Sequence, residues 1–474
     1  MGKGKGMHES DTSARNTTER SHGDGGEVVA VAPAGLDRRR FVGYVLGGAT
    51  LITAADLTLG RAPARGAVPS LPQIPEIYDL EDLQTDAALP TSQLITVTIR
   101  EDGTAAFALP RMEVGQGIVT STAMILAEEL DLPMRKVEVT LAPARPELVF
   151  NQLTGGSNTT VSTFTPIRVA AAVARQQLLE AAAARLGTDA DRLSTISGTV
   201  VDAAGNAIPY GELATDAASQ VVKQVGVTLR PREEYRVIGT GRKRTDARAA
   251  VTGQKDFSTD LQVKGAKPTM VCRPPTHRGR PVRLRNEKQI LKMKGVTHVA
   301  QVPTGIAVRA KTFGQCIDAI RKMDVEWDLG DLAGENDESI LEGLRAAELP
   351  MAVPDVPILA EQVDLGFEFM FRSSAALEPF AAIADVREDR AEIWAGLKVP
   401  ILAQQNIAQA LGMSQDQVKV NVVTGGGSFG HKLFSDHAIE AAQISQAMGK
   451  PVKLMWHRAD EPRQGRMHPM CTSR

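Results

Sequence analysis

Cysteine is the scarcest chemistry-bearing residue in this 474-residue chain. Cys272, Cys316 and Cys471 are scattered, with no C-x-x-C or longer iron–sulfur spacing, so the chain is expected to hold no cluster of its own. Charge of one sign is also lacking: the net charge is -2, which removes the electrostatic footprint of a nucleic-acid binder. Long apolar runs are missing. The mild run at 42–55 contains three glycines and is followed by Asp56, too short and too weak for a stable membrane span. Histidine offers no H-x-x-x-H. His431 and His437 are six apart on an expected helix, roughly on opposite faces, and His277, His298, His457 and His468 stand alone, so a protein zinc site is not expected. Aromatics make up only 4% against 43% hydrophobic residues, the balance of an alanine- and valine-rich globular protein.

What is present is length enough for two to four domains. Residues 1–36 are polar and glycine-rich and are expected to be disordered. Arg38 and Arg39 then precede the mild apolar run, and Ala62-Pro63-Ala64 offers an A-x-A cleavage site, the pattern of a twin-arginine export signal. A basic tether on a cytosolic protein is the competing reading. Residues 65–90 carry four prolines and several acids and read as a linker.

The most informative stretch runs from 111 to 160. It holds two glycine-bearing turns, Val114-Gly115-Gln116-Gly117 and Thr154-Gly155-Gly156-Ser157, separated by a helix and a strand. Val119, Ala123, Leu126 and Leu130 recur at helical spacing. Val137, Val139 and Leu141 alternate with polar residues, the mark of a half-buried strand. A second helix is expected to start with Thr165 capping and Pro166 at its first position, and to close at Gly187. Glycines at a helix entrance let backbone approach a ligand, and free amides there favour anions. Gln116 adds an amide that both donates and accepts. Turns of this kind are also common as plain structure.

Further on, strands are expected at 296–302, 306–308 and 325–327 around a helix at 312–322, while the basic run 278–294 reads as a solvated face. The last block combines a hairpin at 382–394, a helix at 401–411 and a strand at 418–423. Then come Gly425-Gly426-Gly427-Ser428-Phe429-Gly430-His431-Lys432, a helix to 448 and a strand at 452–456. Gly425, Gly427 and Gly430 fit G-x-G-x-x-G, so a nicotinamide- or flavin-binding dehydrogenase is a serious alternative. Against it, the acid expected about 20 residues on is missing. A Walker A loop fails because His431 and Lys432 replace its lysine and hydroxyl.

The ordered combination of Glu113-Val-Gly-Gln-Gly-Ile-Val-Thr, a helix ending Ala127-Glu-Glu-Leu-Asp-Leu-Pro, a strand, and Thr154-Gly-Gly-Ser resembles the molybdenum hydroxylases. This is the xanthine dehydrogenase/aldehyde oxidase family, with the front-of-chain placement of its isoquinoline 1-oxidoreductase type of large subunit. The glycine-rich segment 425–430 resembles the same family's molybdopterin-contacting element. The resemblance covers residues 90–474. It implies an α+β, multi-domain fold: a molybdopterin-binding lobe at 91–232, an α/β hammerhead domain at 233–330 and a second, incomplete lobe at 331–474.

It further implies a molybdopterin cofactor with molybdenum, in its cytosine dinucleotide form, contacted by Gly115, Gln116, Gly117, Gly155, Gly156, Ser157, Gly426, Gly427, Ser428, Phe429 and Gly430. The implied reaction hydroxylates an aldehyde or N-heterocycle with water as oxygen source. Electrons pass to a separate 2Fe–2S subunit. Two departures stand out. The family's "EPxN" turn is Glu378-Pro379-Phe380-Ala381, and its "Trp-Ala-Pro-Thr-Gln" is Trp394-Ala-Gly-Leu-Lys398, which puts a lysine where the resemblance implies a glutamine near molybdenum. The family's catalytic glutamate, in a "GxGE" motif, has no counterpart before Arg474. The resemblance therefore implies a truncated or split large subunit, one completed by another chain, or a cofactor-binding remnant without turnover.

Overall fold

In the computed structural model, residues 28–31, 95–157, 159–219, 225–349 and 363–473 are described. The expected export signal at Arg38 and Arg39, its expected cleavage site and the expected linker lie outside the described residues. Within the leading segment, Val28–Val31 forms a strand paired antiparallel with Val225–Thr228.

The first lobe is built on a small sheet in the order Val97–Ile99, Ala105–Leu109, Val137–Leu141, antiparallel then parallel. Its third strand spans the residues that alternation marks, with Val137, Val139 and Leu141 half-buried and Glu138 and Thr140 exposed. The helix Ile118–Glu129 packs on this sheet through Ile118, Ile125 and Leu126, and Ala123 and Leu130 are buried as the periodicity requires. Behind it lies the 28-residue helix Thr159–Leu186, closed by Gly187 at φ +63°. This helix starts six residues before the expected cap and takes Pro166 into its interior. Hydroxyls of Ser162 and Thr163 donate to the Thr159 carbonyl at 3.3 and 2.7 Å, adding side-chain bonds to the turn ahead of the proline. The helix is alanine-rich, and Ala170, Ala171, Ala174, Ala181 and Ala182 are buried against the lobe.

Two buried carboxylates fasten the chain that leaves this lobe. Glu128 accepts backbone bonds from Arg236, Val237 and Ile238 at 2.7–3.1 Å. Glu129 binds the Arg168 guanidinium at 2.7 Å and the Arg230 amide at 3.1 Å.

The rest of the described chain is organised by one seven-stranded mixed sheet. Its order is Val296–Val302, Gly305–Ala310, Lys267–Cys272, Val452–Met455, Ala381–Val386, Ala391–Ala395, Val418–Val422. Strand Lys267–Cys272 runs parallel to Val452–Met455, so strands from both sides of residue 330 share one sheet. Helices Pro400–Leu411 and Asp436–Met448 cover it, each ended by a glycine in the left-handed region, Gly412 and Gly449. Among the described residues no helix is long and apolar enough to cross a membrane.

Candidate functional site

The first glycine loop is organised by a side chain that glycine spacing does not reveal. Glu113 is 1% exposed, and its carboxylate accepts from the amides of Gly115, Gly117 and Val119 at 2.8, 3.0 and 3.3 Å. The Arg244 guanidinium stands 3.5 Å from the same carboxylate and donates to the Gly115 carbonyl at 2.7 Å. Gln116 turns back on the loop: its oxygen accepts from the Val114 amide at 2.6 Å and its nitrogen donates to the Met112 carbonyl at 2.8 Å. Gly115 and Gly117 sit at φ +107° and +85°, where a side chain would be strained. The Gly115 and Gly117 amides and the Gln116 side chain, expected to meet a ligand here, are engaged inside the loop.

The second loop follows strand Val418–Val422 and is bonded directly to the first, because the Gly425 amide donates to the Glu113 carbonyl at 2.9 Å. Behind it stands a second buried acid. Glu378 accepts from the Gly426 amide at 2.9 Å and from the Ser258 amide at 3.3 Å, donates its own amide to the Gly426 carbonyl, and pairs with the Lys432 ammonium. Both partners of that ion pair are nearly inaccessible. The fit is tight: a Cβ on Gly425 would come within 2.6 Å of the Met112 methyl, and one on Gly426 within 2.6 Å of the Glu378 Cβ. Ser428 is buried and accepts from the Lys432 amide at 3.1 Å. Phe429, at φ +48°, is 71% exposed. Among the described residues, the N–H groups of Gly427, Ser428, Phe429 and Gly430 have no acceptor.

The two loops line one cleft of about 760 Å³, to which Val114, Gly115, Gly426, Gly427 and Phe429 contribute. Phe257, Leu377 and Met455 supply much of its apolar wall. Its charged side chains are already occupied. Lys255 is 2.5 Å from Asp246, Glu378 is paired with Lys432, and Asp260 accepts from the Phe257 amide at 3.0 Å. Unpartnered successive amides on an apolar wall suit a ligand rich in acceptor atoms.

The third expected element, Gly155, Gly156 and Ser157, stands outside the lining of that cleft, Gly155 facing Leu153 and Leu433. Its link to the other loops runs through Thr154, whose hydroxyl accepts from the Met112 amide at 2.8 Å and whose amide donates to the Lys398 carbonyl at 2.9 Å. The Lys398 amide in turn donates to the Lys432 carbonyl at 2.9 Å. Burial holds the Lys398 ammonium below its ordinary pKa, and no acid faces it among the described residues.

Two sequence expectations are corrected. His431 lies in a short 3-10 turn, His431–Leu433, and not on the following helix; it and His437 both pack on the Phe380 ring, at centroid distances of 4.4 and 4.5 Å. Burial pushes the His437 imidazole down to about 3, keeping it neutral. The dinucleotide fold also fails on topology. The helix begins only at Asp436, and strands Val418–Val422 and Val452–Met455 are separated by two others. The fingerprint needs a glycine loop opening straight into the helix of one βαβ unit. Glu113, Glu378, Lys432 and Arg244 are the residues that the glycine pattern missed.

A model described as a molybdopterin cofactor-binding domain matches residues 78–258, and a second of the same description matches residues 360–471. The beta subunit of isoquinoline 1-oxidoreductase from Brevundimonas diminuta is 29% identical over 439 residues, covering 80% of this chain and 56% of that protein. One of the nicotinate dehydrogenase subunits from Pseudomonas putida is 26% identical over 385 residues, covering 77% and 32%. A protein named membrane-bound aldehyde dehydrogenase (pyrroloquinoline-quinone) from Gluconacetobacter polyoxogenes is 29% identical over 394 residues, covering 77% and 50%. The chain thus spans between a third and just over half the length of these curated relatives.

Proposed function

The chain belongs to the xanthine dehydrogenase/aldehyde oxidase family of molybdopterin-binding large subunits, and from that premise we propose that it forms the cofactor-holding part of a molybdenum hydroxylase. The system oxidises an aldehyde or N-heterocycle with water as oxygen source and delivers electrons to a separate 2Fe–2S subunit. The cofactor is the cytosine dinucleotide form, and the route of export is the twin-arginine one. Two of the relatives are themselves named as subunits, which supports a partner chain here.

The observation that carries this reading is the bond between the two glycine loops, Gly425 to Glu113, which gives both a common cleft. The residues present fit the group. Molybdopterin offers many acceptor atoms, and the amides of Gly427, Ser428, Phe429 and Gly430 are donors awaiting acceptors. When bound, the molybdenum group supplies two-electron oxidation with oxygen drawn from water. Glu113 and Glu378 hold the loops in shape, while Phe257, Leu377 and Phe429 give substrate an apolar wall and displace water.

Metal and cofactor analysis of the chain co-produced with its genomic neighbours tests this. About one molybdenum per chain is expected. Stoichiometric flavin, nicotinamide or pyrroloquinoline quinone without molybdenum overturns it. A full complement of molybdenum without turnover would select a non-catalytic carrier, the reading that the unpaired Lys398 favours.

A further inference from the structure

A second cavity, of about 560 Å³, shares no lining residue with the cleft of the glycine loops. One wall is apolar. Helix Phe313–Ile320 buries Cys316 and Ala319 on the sheet, which leaves Ile317 and Ile320, neighbours across one turn, half-buried along the cavity. Trp327, half-buried on strand Val325–Asp328, adds a large aromatic surface. The other wall is the turn that follows strand Val452–Met455, where His457, Asp460 and Arg463 lie. That turn is pinned to the segment leaving strand Lys267–Cys272. The Gln464 side chain donates to the Pro274 and Thr276 carbonyls at 2.8 and 3.1 Å, and the Arg273 Nε stands 3.4 Å from Asp460.

Three guanidiniums line this cavity against one carboxylate. Arg273 is already paired, since Glu440 takes two of its bonds at 2.7 and 2.8 Å. Among the described residues, the Arg321 and Arg463 side chains have neither an ion pair nor a hydrogen bond. His457 accepts from the Ala459 amide at Nδ1, at 3.2 Å, so its neutral ring carries the proton on Nε2, a donor without a partner among the described residues. The acidic groups do not cancel this set. Burial raises the pKa of Asp460 and Arg273 holds it, while burial pushes the Cys272 thiol up to about 11 and keeps it uncharged in the wall.

Arginines on a convex surface are ordinarily solvated. These two stand at a concavity walled by isoleucine and tryptophan, where water that serves the cations also wets apolar surface. A ligand with an apolar body and one anionic end meets both demands. A planar carboxylate does so best, because its two oxygens match the fork of a guanidinium and its ring packs on an indole. The volume lies in the range of small-molecule sites, about 300–1,000 Å³.

We propose that this cavity binds a small aromatic carboxylate, with Arg321 and Arg463 as its cationic partners and Trp327 against its ring. The site does not rest on the molybdopterin reading. Its test is calorimetric titration of the full chain with naphthoate. Two comparisons accompany it: the uncharged naphthamide, and acetate, which has the charge without the ring. The chain should take up one naphthoate and bind the amide and acetate each at least about tenfold more weakly. Arg321→Gln and Arg463→Gln remove exposed groups, so both variants should melt as wild type; together they should weaken naphthoate at least about tenfold.

No saturable uptake of naphthoate overturns the site. So does an amide that binds as tightly as the acid, which leaves an apolar hollow alone, and so does acetate that binds as tightly, which leaves two solvated cations. Naphthoate binding that survives the double substitution places the ligand elsewhere, the cleft of the glycine loops included, and overturns the site as well. If the double variant does not fold, Cys272 decides. In Cys471→Ser, with Cys316 buried, alkylation at about pH 9 falls on Cys272. Naphthoate that slows this reaction upholds the site, and an unchanged rate refutes it.

Discussion

The two glycine loops that meet in the cleft use the same residue type in opposite ways. In the loop at 113–117 the amides point inward, to Glu113, and the Gln116 side chain clips the turn to itself. In the loop at 425–430 a buried acid, Glu378, takes the Gly426 amide alone of the loop's amides, and among the described residues the next four amides have no acceptor. Glycine lets both loops adopt left-handed backbone; it does not say whether the freed amides serve the loop or a ligand. That is decided by the acid beside each loop. Glu113 is two to six positions from the amides it holds and closes its own turn, whereas Glu378 comes from a distant segment, supports the loop from behind and leaves the front open. The first loop is a finished structural unit, and the second is a cradle.

The largest effect should come from breaking the support of the cradle. Lys432→Met removes one partner of a buried ion pair and leaves the Glu378 carboxylate uncompensated, which costs about 3–5 kcal/mol. Denaturant unfolding should show that loss, and hydrogen exchange should speed at 425–430 while 113–117 changes less. The double variant Lys432→Met/Glu378→Gln should recover much of the stability, since the charge left behind is gone. No recovery would mean that Lys432 matters through its packing against Gly396 and Gly425 and not through its charge.

Glu113→Gln is the matching change on the other loop and should cost less, about 2 kcal/mol. A glutamine keeps one acceptor for the Gly115 and Gly117 amides but loses the charge that strengthens those bonds and faces Arg244. Exchange should now speed at residues 115 and 117 and stay slow at 426. Faster exchange at both loops would show that the Gly425–Glu113 bond couples them, and would erase the distinction between a closed loop and a supported one.

Much of this architecture was legible, and the limits have physical causes. Strand Val137–Leu141 and helix Ile118–Glu129 announce themselves by period, because each buries one face on a neighbour. Helix Thr159–Leu186 starts earlier than its sequence predicts because Pro166 reads as a first-turn residue, and nothing local shows that an interior proline is tolerated. The seven-stranded sheet was hidden for a different reason. Pairing of Lys267–Cys272 with Val452–Met455 is a contact between segments far apart in sequence, which no local pattern encodes. In the site, glycine positions could be read directly, and the resemblance gave them a cofactor. Glu113 and Glu378 were visible only as letters within the resembling motifs; their burial and their choice of amides belong to the folded chain.

The smallest effect separates the structural from the ligand-facing role of Gln116. Its side chain is exposed as a whole, yet both ends are bonded within the loop, to Val114 and Met112. If it serves only to clip the turn, Gln116→Ala should cost about 1 kcal/mol, the net worth of such bonds at a site where water replaces the lost partner. The melting temperature should fall slightly in the cofactor-free chain, with molybdenum content per folded chain unchanged in a loaded preparation. If the amide instead swings out to the cofactor, the cofactor-free chain should melt as wild type and molybdenum content should drop. The measured pair, melting temperature without cofactor and molybdenum per chain with it, therefore distinguishes a closed loop from a second cradle. A loss in molybdenum without a loss in stability would make the two glycine loops alike after all.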